Sequence, residues 1–386
     1  MLTTEELKGK MIENSNKHDM RGKRLVVKIG SSTLTTAEGK LDSDYLDDVA
    51  RQVNSLKAQD TQVLIVSSAA IVAGLQKLDM PPGRPDDIPT LQAAAAVGQI
   101  TLMQNYTRAF AVHDILLGQI LMTRNDTANR EAYLHARDTL ERLLELGIVP
   151  LINENDTIAI DEIRFGDNDT LAAQVAILVK ADLVVLLSDI EGLYTADPRI
   201  AEDAELLQIV EEFTREIVDA AGSAGSEKGS GGMFTKIEAA RMLMAASIPM
   251  VICEGHAENA ILNAAEGTVL GTRFEREEPD GRHARARKLW LALSGTVCGA
   301  VTIDAGAEIA LRERGSSLLP VGVVGWEGGF KKGEVVDIRN LDGLLIGRGI
   351  TNYSASELTN VAGQRSSMLN AHGKTEVVHR DAMVVF

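Results

Sequence analysis

Lys28 stands between Val27 and Ile29 in the apolar run Arg24–Ile29, and Gly30-Ser31-Ser32 follow at once. A lysine in such a run is commonly an edge-strand residue whose ammonium snorkels to water. Beside a glycine turn it gains a second reading, because successive backbone N–H groups there form a nest for anions. Lys236 closes Met233-Phe234-Thr235-Lys236, which opens a helical pattern behind the glycine-rich stretch GSAGSEKGSGG ending at Gly232. A flexible linker has no use for a lysine at a helix start. A phosphate site does, since the first N–H groups, the helix dipole and the ammonium all favour negative charge. Two polar clusters add donors and acceptors: Asn153-Glu154-Asn155-Asp156 and Gly166-Asp167-Asn168-Asp169. Asn, Asp and Gly also dominate ordinary turns, so a pair of solvated turns stands beside a role in holding an amino-acid ammonium and orienting lysines. Calcium-loop spacing is absent. Ser188-Asp189, at the end of LVVLLSD, suits an N-cap and a nucleotide contact equally. The chemistry these residues share is the handling of phosphate charge.

The common nucleotide motifs do not supply it. The GKT triplet Gly373-Lys374-Thr375 has Met368 where a Walker A loop needs glycine, and no GxGxxG opens a helix after a strand. His379-Arg380-Asp381 imitates a protein-kinase catalytic loop, but the sequence ends at Phe386, where that motif needs asparagine. The seven histidines are scattered and form no candidate base.

The elements that must position these groups follow from apolar runs and their breakers. Arg24–Ile29, Gln62–Val66, Ile148–Ile152, Leu183–Leu187 and Met250–Cys253 read as buried strands. Ser67-Ser68 and the small residues Ala69–Gly74 read as a turn into a helix. Met80–Pro89 reads as a turn-rich interruption. Helical spacing returns at Leu140, Leu143 and Leu144, with Gly147 as C-cap, and again over Lys236–Ser247. Strands alternating with helices predict a largely parallel sheet covered on both faces, and ligands bind such sheets at the carboxyl ends of strands. The polar motifs lie at those ends. Arg273–Arg287 (RFEREEPDGRHARAR) reads as an interdomain linker. Beyond it, short glycine-rich strands at Ala300–Ile303, Gly322–Val324, Glu334–Ile338 and Leu344–Ile346 predict a small β-rich domain.

Composition sets the outer limits. The 386 residues exceed what one core usually serves, so two domains are expected. Net charge is −16, yet residues 282–386 carry 13 basic and 10 acidic side chains, so the main body is strongly acidic and a poor nucleic-acid surface. No apolar run reaches the roughly 18 residues that span a bilayer. The first twenty residues are polar and lack the apolar core of a signal peptide. Cys253 and Cys298 lie in apolar contexts and read as buried free thiols, with no zinc cluster; a cytoplasmic protein without membrane association is expected.

The ordered set KIGSS, SSAAIVAG, AAVGQ, TRND, YLHARDTL, PLINENDTI, FGDND, LLSDIEGLYTADPR and SGGMFTK resembles the kinase domain of the glutamate 5-kinase family, and ERGSSLLPVGV, the GEVV segment and VHRDAM resemble its C-terminal PUA-type domain. The resemblance runs from about Arg24 to the end. It implies an α/β fold of the amino-acid-kinase type, a mostly parallel sheet between helical layers, with a small β-rich PUA-type domain. The division would be 1–22 as a polar extension, 23–278 as the kinase domain and 285–386 as the PUA-type domain. It implies transfer of the γ-phosphoryl of ATP to the γ-carboxylate of L-glutamate, the first step of proline biosynthesis. Magnesium would be held mainly through the nucleotide phosphates, with no protein metal site. Carried over by position, Lys28, Lys236 and Asp169 are catalytic, and Ser68, Asp156 and Asn168 bind glutamate. Lys28, Gly30, Ser188, Asp189, Ser230, Gly231, Gly232, Met233, Phe234, Thr235 and Lys236 bind ATP. A homo-oligomer (dimer or tetramer), feedback inhibition by proline and glutamyl phosphate reductase as a partner are further implications.

Two departures from the family pattern stand out. Ala69 occupies the place of a usual glycine in a TSGAI-like turn. At a positive φ a methyl there costs about 1 kcal/mol or more and would crowd the phosphoryl group, whereas at an ordinary helical φ it costs nothing. Ser230 and Phe234 replace threonine and serine of TGGMSTK. Sister kinases acting on acetylglutamate, aspartate, a nucleoside monophosphate or carbamate remain as alternatives, as does an RNA-binding PUA protein.

Overall fold

The computed structural model describes residues 19–36, 38–80, 83, 85–123, 126, 130–159, 168–196, 198, 201, 203–214, 217, 232–268, 271–275, 297–364 and 376–386. The chain divides into two compact units. The first comprises Met1–Thr123, Glu131–Leu243 and Ile248–Glu277, the second Arg124–Arg130, Met244–Ser247 and Glu278–Phe386.

The first unit begins with β1 (Arg24–Ile29), α1 (Ser31–Leu34), α2 (Ser43–Lys57), β2 (Gln62–Ser67), α3 (Ala70–Lys77), α4 (Ile88–Ala111) and β3 (Leu117–Met122). It continues with α5 (Arg130–Glu145), β4 (Val149–Glu154), α6 (Asn168–Leu178), β5 (Leu183–Ser188) and β6 (Ile209–Val210), then α7 (Met233–Ala245), β7 (Met250–Glu254), α8 (Ala260–Ala265) and β8 (Thr272–Phe274). The strands order as β3-β4-β2-β1-β5-β7-β8-β6. All neighbours are parallel except β7 and β8, which pair antiparallel. The mostly parallel sheet expected from the alternating pattern is therefore present. β1 lies at its centre between β2 and β5, which rules out the edge-strand reading of Lys28.

Side chains alternate across the sheet, and the two faces sort accordingly. Leu25, Val27 and Ile29 join Val63, Ile65, Val185 and Leu187 in one core against α2, α4 and α8. Val26 and Lys28 face the other way, toward α6, a helix buried at every position but Thr170. A helix with no polar stripe belongs between layers rather than on a surface. α2 is capped by Asp42, whose carboxylate accepts from the Tyr45 amide, and α4 by Asp87, which accepts from Thr90 N–H.

α4 crosses α3 in backbone contact. A Cβ placed on Gly98 would overlap the carbonyl oxygen of Ala70, and one placed on Gly74 would overlap the carbonyl of Ala94. Only glycine permits that approach. The Tyr106 hydroxyl of the same helix shares a 3.0 Å hydrogen bond with Ser67 Oγ, so α4 is fastened to the end of β2 at two levels.

The second unit contains β9 (Ala300–Ile303), α9 (Ala305–Arg312), β10 (Val323–Glu327), β11 (Val335–Arg339), β12 (Leu345–Thr351), α10 (Ala355–Val361) and β13 (Val378–Val385). Its five-stranded sheet orders as β10-β9-β11-β12-β13 around its own core of Val301, Ile303, Phe330, Val336, Ile338 and Leu358. The β-rich expectation holds. His379, Arg380 and Asp381 lie within β13, a sheet strand and not a catalytic loop.

Three expectations need correction. The linker does not begin at Arg273: Arg273 and Phe274 form β8, and Phe274 is fully buried and stacks on Phe213 at 6.0 Å between ring centroids. The rest of the expected linker, from 276 on, lies outside the described residues. Cys253 is buried in β7, where burial pushes its thiol up to about 12, but Cys298 is half-buried and precedes β9. The turn-rich interruption ends sooner than expected, because Ile88 and Pro89 already belong to α4.

Candidate active site

The carboxyl ends of β1, β2, β4 and β5 meet the first turns of α6 and α7, and the chemistry-bearing residues gather there. Lys28, the fifth residue of β1, turns its side chain toward α6. Its Nζ lies 2.6 Å from Oδ1 of Asp169, in the first turn of that helix. Lys236 reaches the same carboxylate from the first turn of α7, with Nζ 3.1 Å from Oδ2. Thr235 donates its hydroxyl to Asp169 Oδ2 at 2.8 Å, with the Gly232 carbonyl an alternative acceptor at 2.9 Å. The side chains of Lys28, Asp169 and Lys236 are 9%, 1% and 7% exposed, so this is a buried row of two cations on one anion.

Burial alone would push the Asp169 carboxyl up. The Lys28 and Lys236 ammoniums outweigh it, and with their hydrogen bonds and that of Thr235 they hold the group well below the usual carboxylate range. The first turn of a helix also favours a negative charge. Each ammonium carries three protons, more than one carboxylate oxygen can accept, so the row is cationic overall and suited to a further anion.

Gly30 departs from the nest reading in one respect. Its N–H donates to the Leu187 carbonyl at 3.3 Å, so it is committed to the sheet. Its lack of a side chain still matters, because a methyl there would sit 3.6 Å from Lys28 Nζ and shield it. At the end of β2, Ala69 adopts φ 76° and ψ 8°, the left-handed conformation. Its amide donates to Ser31 Oγ at 3.1 Å, which ties the β2–α3 turn to the start of α1. Of the two backbone alternatives for Ala69, the strained one is present.

Asn168 forms the other side of the site. Its Nδ2 lies 2.8 Å from the Ser67 carbonyl, 2.9 Å from Ser68 Oγ and 2.9 Å from Asn153 Oδ1. Its Oδ1 has no donor among the described residues, which leaves an acceptor for a ligand. Asp156 sits half-buried in the turn after β4, two residues past the end of that strand. Ser188 is buried at the end of β5 and donates to the exposed Asp189 carboxylate at 3.1 Å. Of the glycine-rich stretch, Gly232 is half-buried, Met233 buried and Phe234 57% exposed at the helix start. Ser230 and Gly231, like Gly166 and Asp167, lie outside the described residues.

The structure thus brings Lys28, Asp169, Lys236 and Thr235 together, and Ser68 together with Asn168. It adds two residues given no individual role from sequence. Asn153 was visible only as part of the NEND motif, and Gln99 only as the last residue of AAVGQ. Their signal is spatial, since each hydrogen-bonds to a residue far away in sequence.

Residues 23–254 match the amino acid kinase family, and residues 299–372 match the PUA domain. A glutamate 5-kinase from Geobacter sp. (strain M21) is 44% identical over 94% of this chain and 97% of its own length. Those from Carboxydothermus hydrogenoformans and Caldanaerobacter subterraneus subsp. tengcongensis are 45% and 42% identical, with the same coverage. With the buried lysine–aspartate–lysine row at the strand ends and these likenesses over nearly the whole chain, the protein belongs to the amino acid kinase family and, within it, to the glutamate 5-kinases.

Proposed function

We propose that the chain transfers the γ-phosphoryl group of ATP to the γ-carboxylate of L-glutamate, giving L-glutamyl 5-phosphate and ADP. The observation that carries the reading is the buried row Lys28–Asp169–Lys236, set beside an Asn168 whose carboxamide is locked to Ser67 and Ser68.

The glutamate side chain has a reference pKa near 4.3, so the nucleophile is ionised at neutral pH and no base has to act. One carboxylate oxygen bonds to the γ-phosphorus while the bond from that phosphorus to the β,γ-bridging oxygen breaks, and the electron pair leaves on ADP. No proton moves. The obstacle is the approach of an anion to an anion, and catalysis consists of positioning and of neutralising the equatorial oxygens. Lys28 and Lys236 supply that charge from opposite sides, and Asp169 keeps both aimed at it. Comparable preorganised donors contribute roughly 3 kcal/mol each. Magnesium, when bound, would offset phosphate charge. It would be held mainly through the nucleotide phosphates.

On this reading Ser68 and the Asn168 acceptor hold glutamate with Asp156, whose carboxylate pairs with the α-ammonium. Gly30, Ser188, Asp189 and the 230–236 segment take the nucleotide. The product is a reactive acyl phosphate, so a reductase that takes it up is the partner its chemistry asks for. No helix among the described residues is long and apolar enough to cross a membrane. The deciding experiment follows ADP release with L-glutamate and hydroxylamine, which traps the acyl phosphate as a hydroxamate. Acetylglutamate, aspartate, uridine monophosphate and carbamate serve as competing acceptors. Hydroxamate formed from glutamate with stoichiometric ADP supports the reading, and preferential turnover of another acceptor refutes it.

A further inference from the structure

Helix α4 takes no part in the chemistry described so far, yet one of its side chains reaches the site. Asn153 Nδ2 donates to Gln99 Oε1 at 2.9 Å, and Asn153 Oδ1 accepts from Asn168 Nδ2 at 2.9 Å. We propose that Gln99 is a positioning residue for glutamate: through Asn153 it sets which end of the Asn168 carboxamide is offered to the substrate. The proposal rests on the reading of Asn168 as a glutamate contact.

The orientation of each amide follows from backbone groups that cannot change sign. Asn168 faces the carbonyl of Ser67, which only accepts, so its NH2 end must point there. Asn153 faces the N–H of Glu154 at 2.9 Å, which only donates, so its oxygen must point there. The NH2 end of Asn153 then needs an acceptor, and Gln99 Oε1 is the one it has. Without that acceptor, Asn153 holds a buried NH2 with no partner among the described residues. Rotation toward water then competes with the bond to Asn168, whose Nδ2 would keep only Ser67 and Ser68. The asparagine would be less firmly held with its Oδ1 toward the ligand.

The AAVGQ segment is built for this reach. Gly98 allows α4 to rest directly on the carbonyl of Ala70, just past the Ser67–Ala69 turn. The residue that follows is thereby delivered to the end of β4. Gln99 is half-buried and lines the cleft between α4 and β3 with Met103 and Gln119, so its side chain is not required to fill a core.

The test separates position from packing. Gln99→Met keeps length and removes the acceptor, and Gln99→Glu keeps an acceptor at the same place. The expected result for Gln99→Met is a rise of at least fivefold in the KM for glutamate, with the ATP KM and kcat at saturating glutamate within twofold. Gln99→Glu should restore the glutamate KM to within threefold. Should Gln99→Met fail to melt cooperatively, Gln99→Ala is read in its place. A Gln99→Met enzyme with an unchanged glutamate KM, a parallel rise in both KM values, or equal failure of the Met and Glu variants each overturns the proposal. Asn168→Ala is measured alongside. If it leaves the glutamate KM unchanged, the pocket assignment itself fails. If it raises that KM while Gln99→Met does not, only the role of Gln99 falls.

Discussion

The Nζ of Lys28 lies 2.6 Å from Oδ1 of Asp169, although three strands of the sheet intervene between them in sequence. The pair is made by topology. β1 ends at the centre of the sheet, and α6 begins where its chain returns across β4 and β2. Lys236 adds the second cation from a third element.

Asp169→Asn is expected to destabilise the fold by about 3–5 kcal/mol, because it leaves two buried ammonium groups without a counter-charge. The pH dependence has a definite sign. The folded carboxyl titrates below its unfolded value near 3.9, so the unfolded state binds the proton first as pH falls. The stability difference between wild type and variant should therefore be flat above about pH 5 and shrink only as pH falls below about 4. Denaturant midpoints across pH 3–8 measure it, and a difference that already shrinks near pH 6 contradicts the assignment.

Lys236→Ala is expected to lower kcat at least a hundredfold, since the ammonium meets charge that develops during transfer. Its melting temperature should change much less than that of Asp169→Asn, because Lys28 still pairs with the carboxylate. Near-normal turnover would remove Lys236 from the chemistry.

Asp156→Ala should raise the KM for glutamate far more than that for ATP. The carboxylate stands in the turn that follows β4, the strand that carries Asn153, and the proposed pairing is with the α-ammonium of glutamate rather than with the nucleotide. Equal effects on both substrates would move it out of the glutamate pocket.

Ala69→Gly is expected to raise stability by about 1 kcal/mol, because φ 76° strains any residue with a Cβ. A several-fold rise in kcat with an unchanged ATP KM should accompany it if the methyl also crowds the transferring group. A higher midpoint with unchanged kcat would show that the methyl strains the turn without touching the reaction.

Gly98→Ala should cost several kcal/mol, since the added methyl would overlap the Ala70 carbonyl and force α3 and α4 apart. A variant that melts within about 1 °C of wild type would show that the crossing relaxes freely.

How much was legible from sequence depended on the physical signal. β1 and β9 appear with the expected boundaries because each is a continuous apolar run ended by a glycine or aspartate. Gly147 is at φ 72°, as a helix-ending glycine should be. α4 escaped notice because alanine and glycine cover several of its faces and leave no apolar stripe to count. β3 is an edge strand with a single buried residue, so it lacks the continuous apolar signature of its neighbours. β8 was hidden by its charged surroundings, although Phe274 within it is wholly buried. At the site, Lys28, Asp169 and Lys236 were readable as types in a family order. Their convergence on one carboxylate and the hydrogen bonds of Asn153 and Gln99 were not, since pairing between distant segments leaves no mark on local spacing. The sign of φ at Ala69 was open for the same reason.

The crossing at Gly98 has a mechanical consequence. A helix of 24 residues is about 36 Å long, and backbone contact near its middle acts as a fulcrum. A tilt of about 5° about that point displaces the helix ends by about 1.5 Å but an adjacent residue by only about 0.1 Å. Gln99 is the next residue along. A load on the ends of α4 therefore moves the backbone that carries Gln99 far less than it moves those ends, so the glutamate end of the site is shielded from most of the leverage at the rim of the sheet.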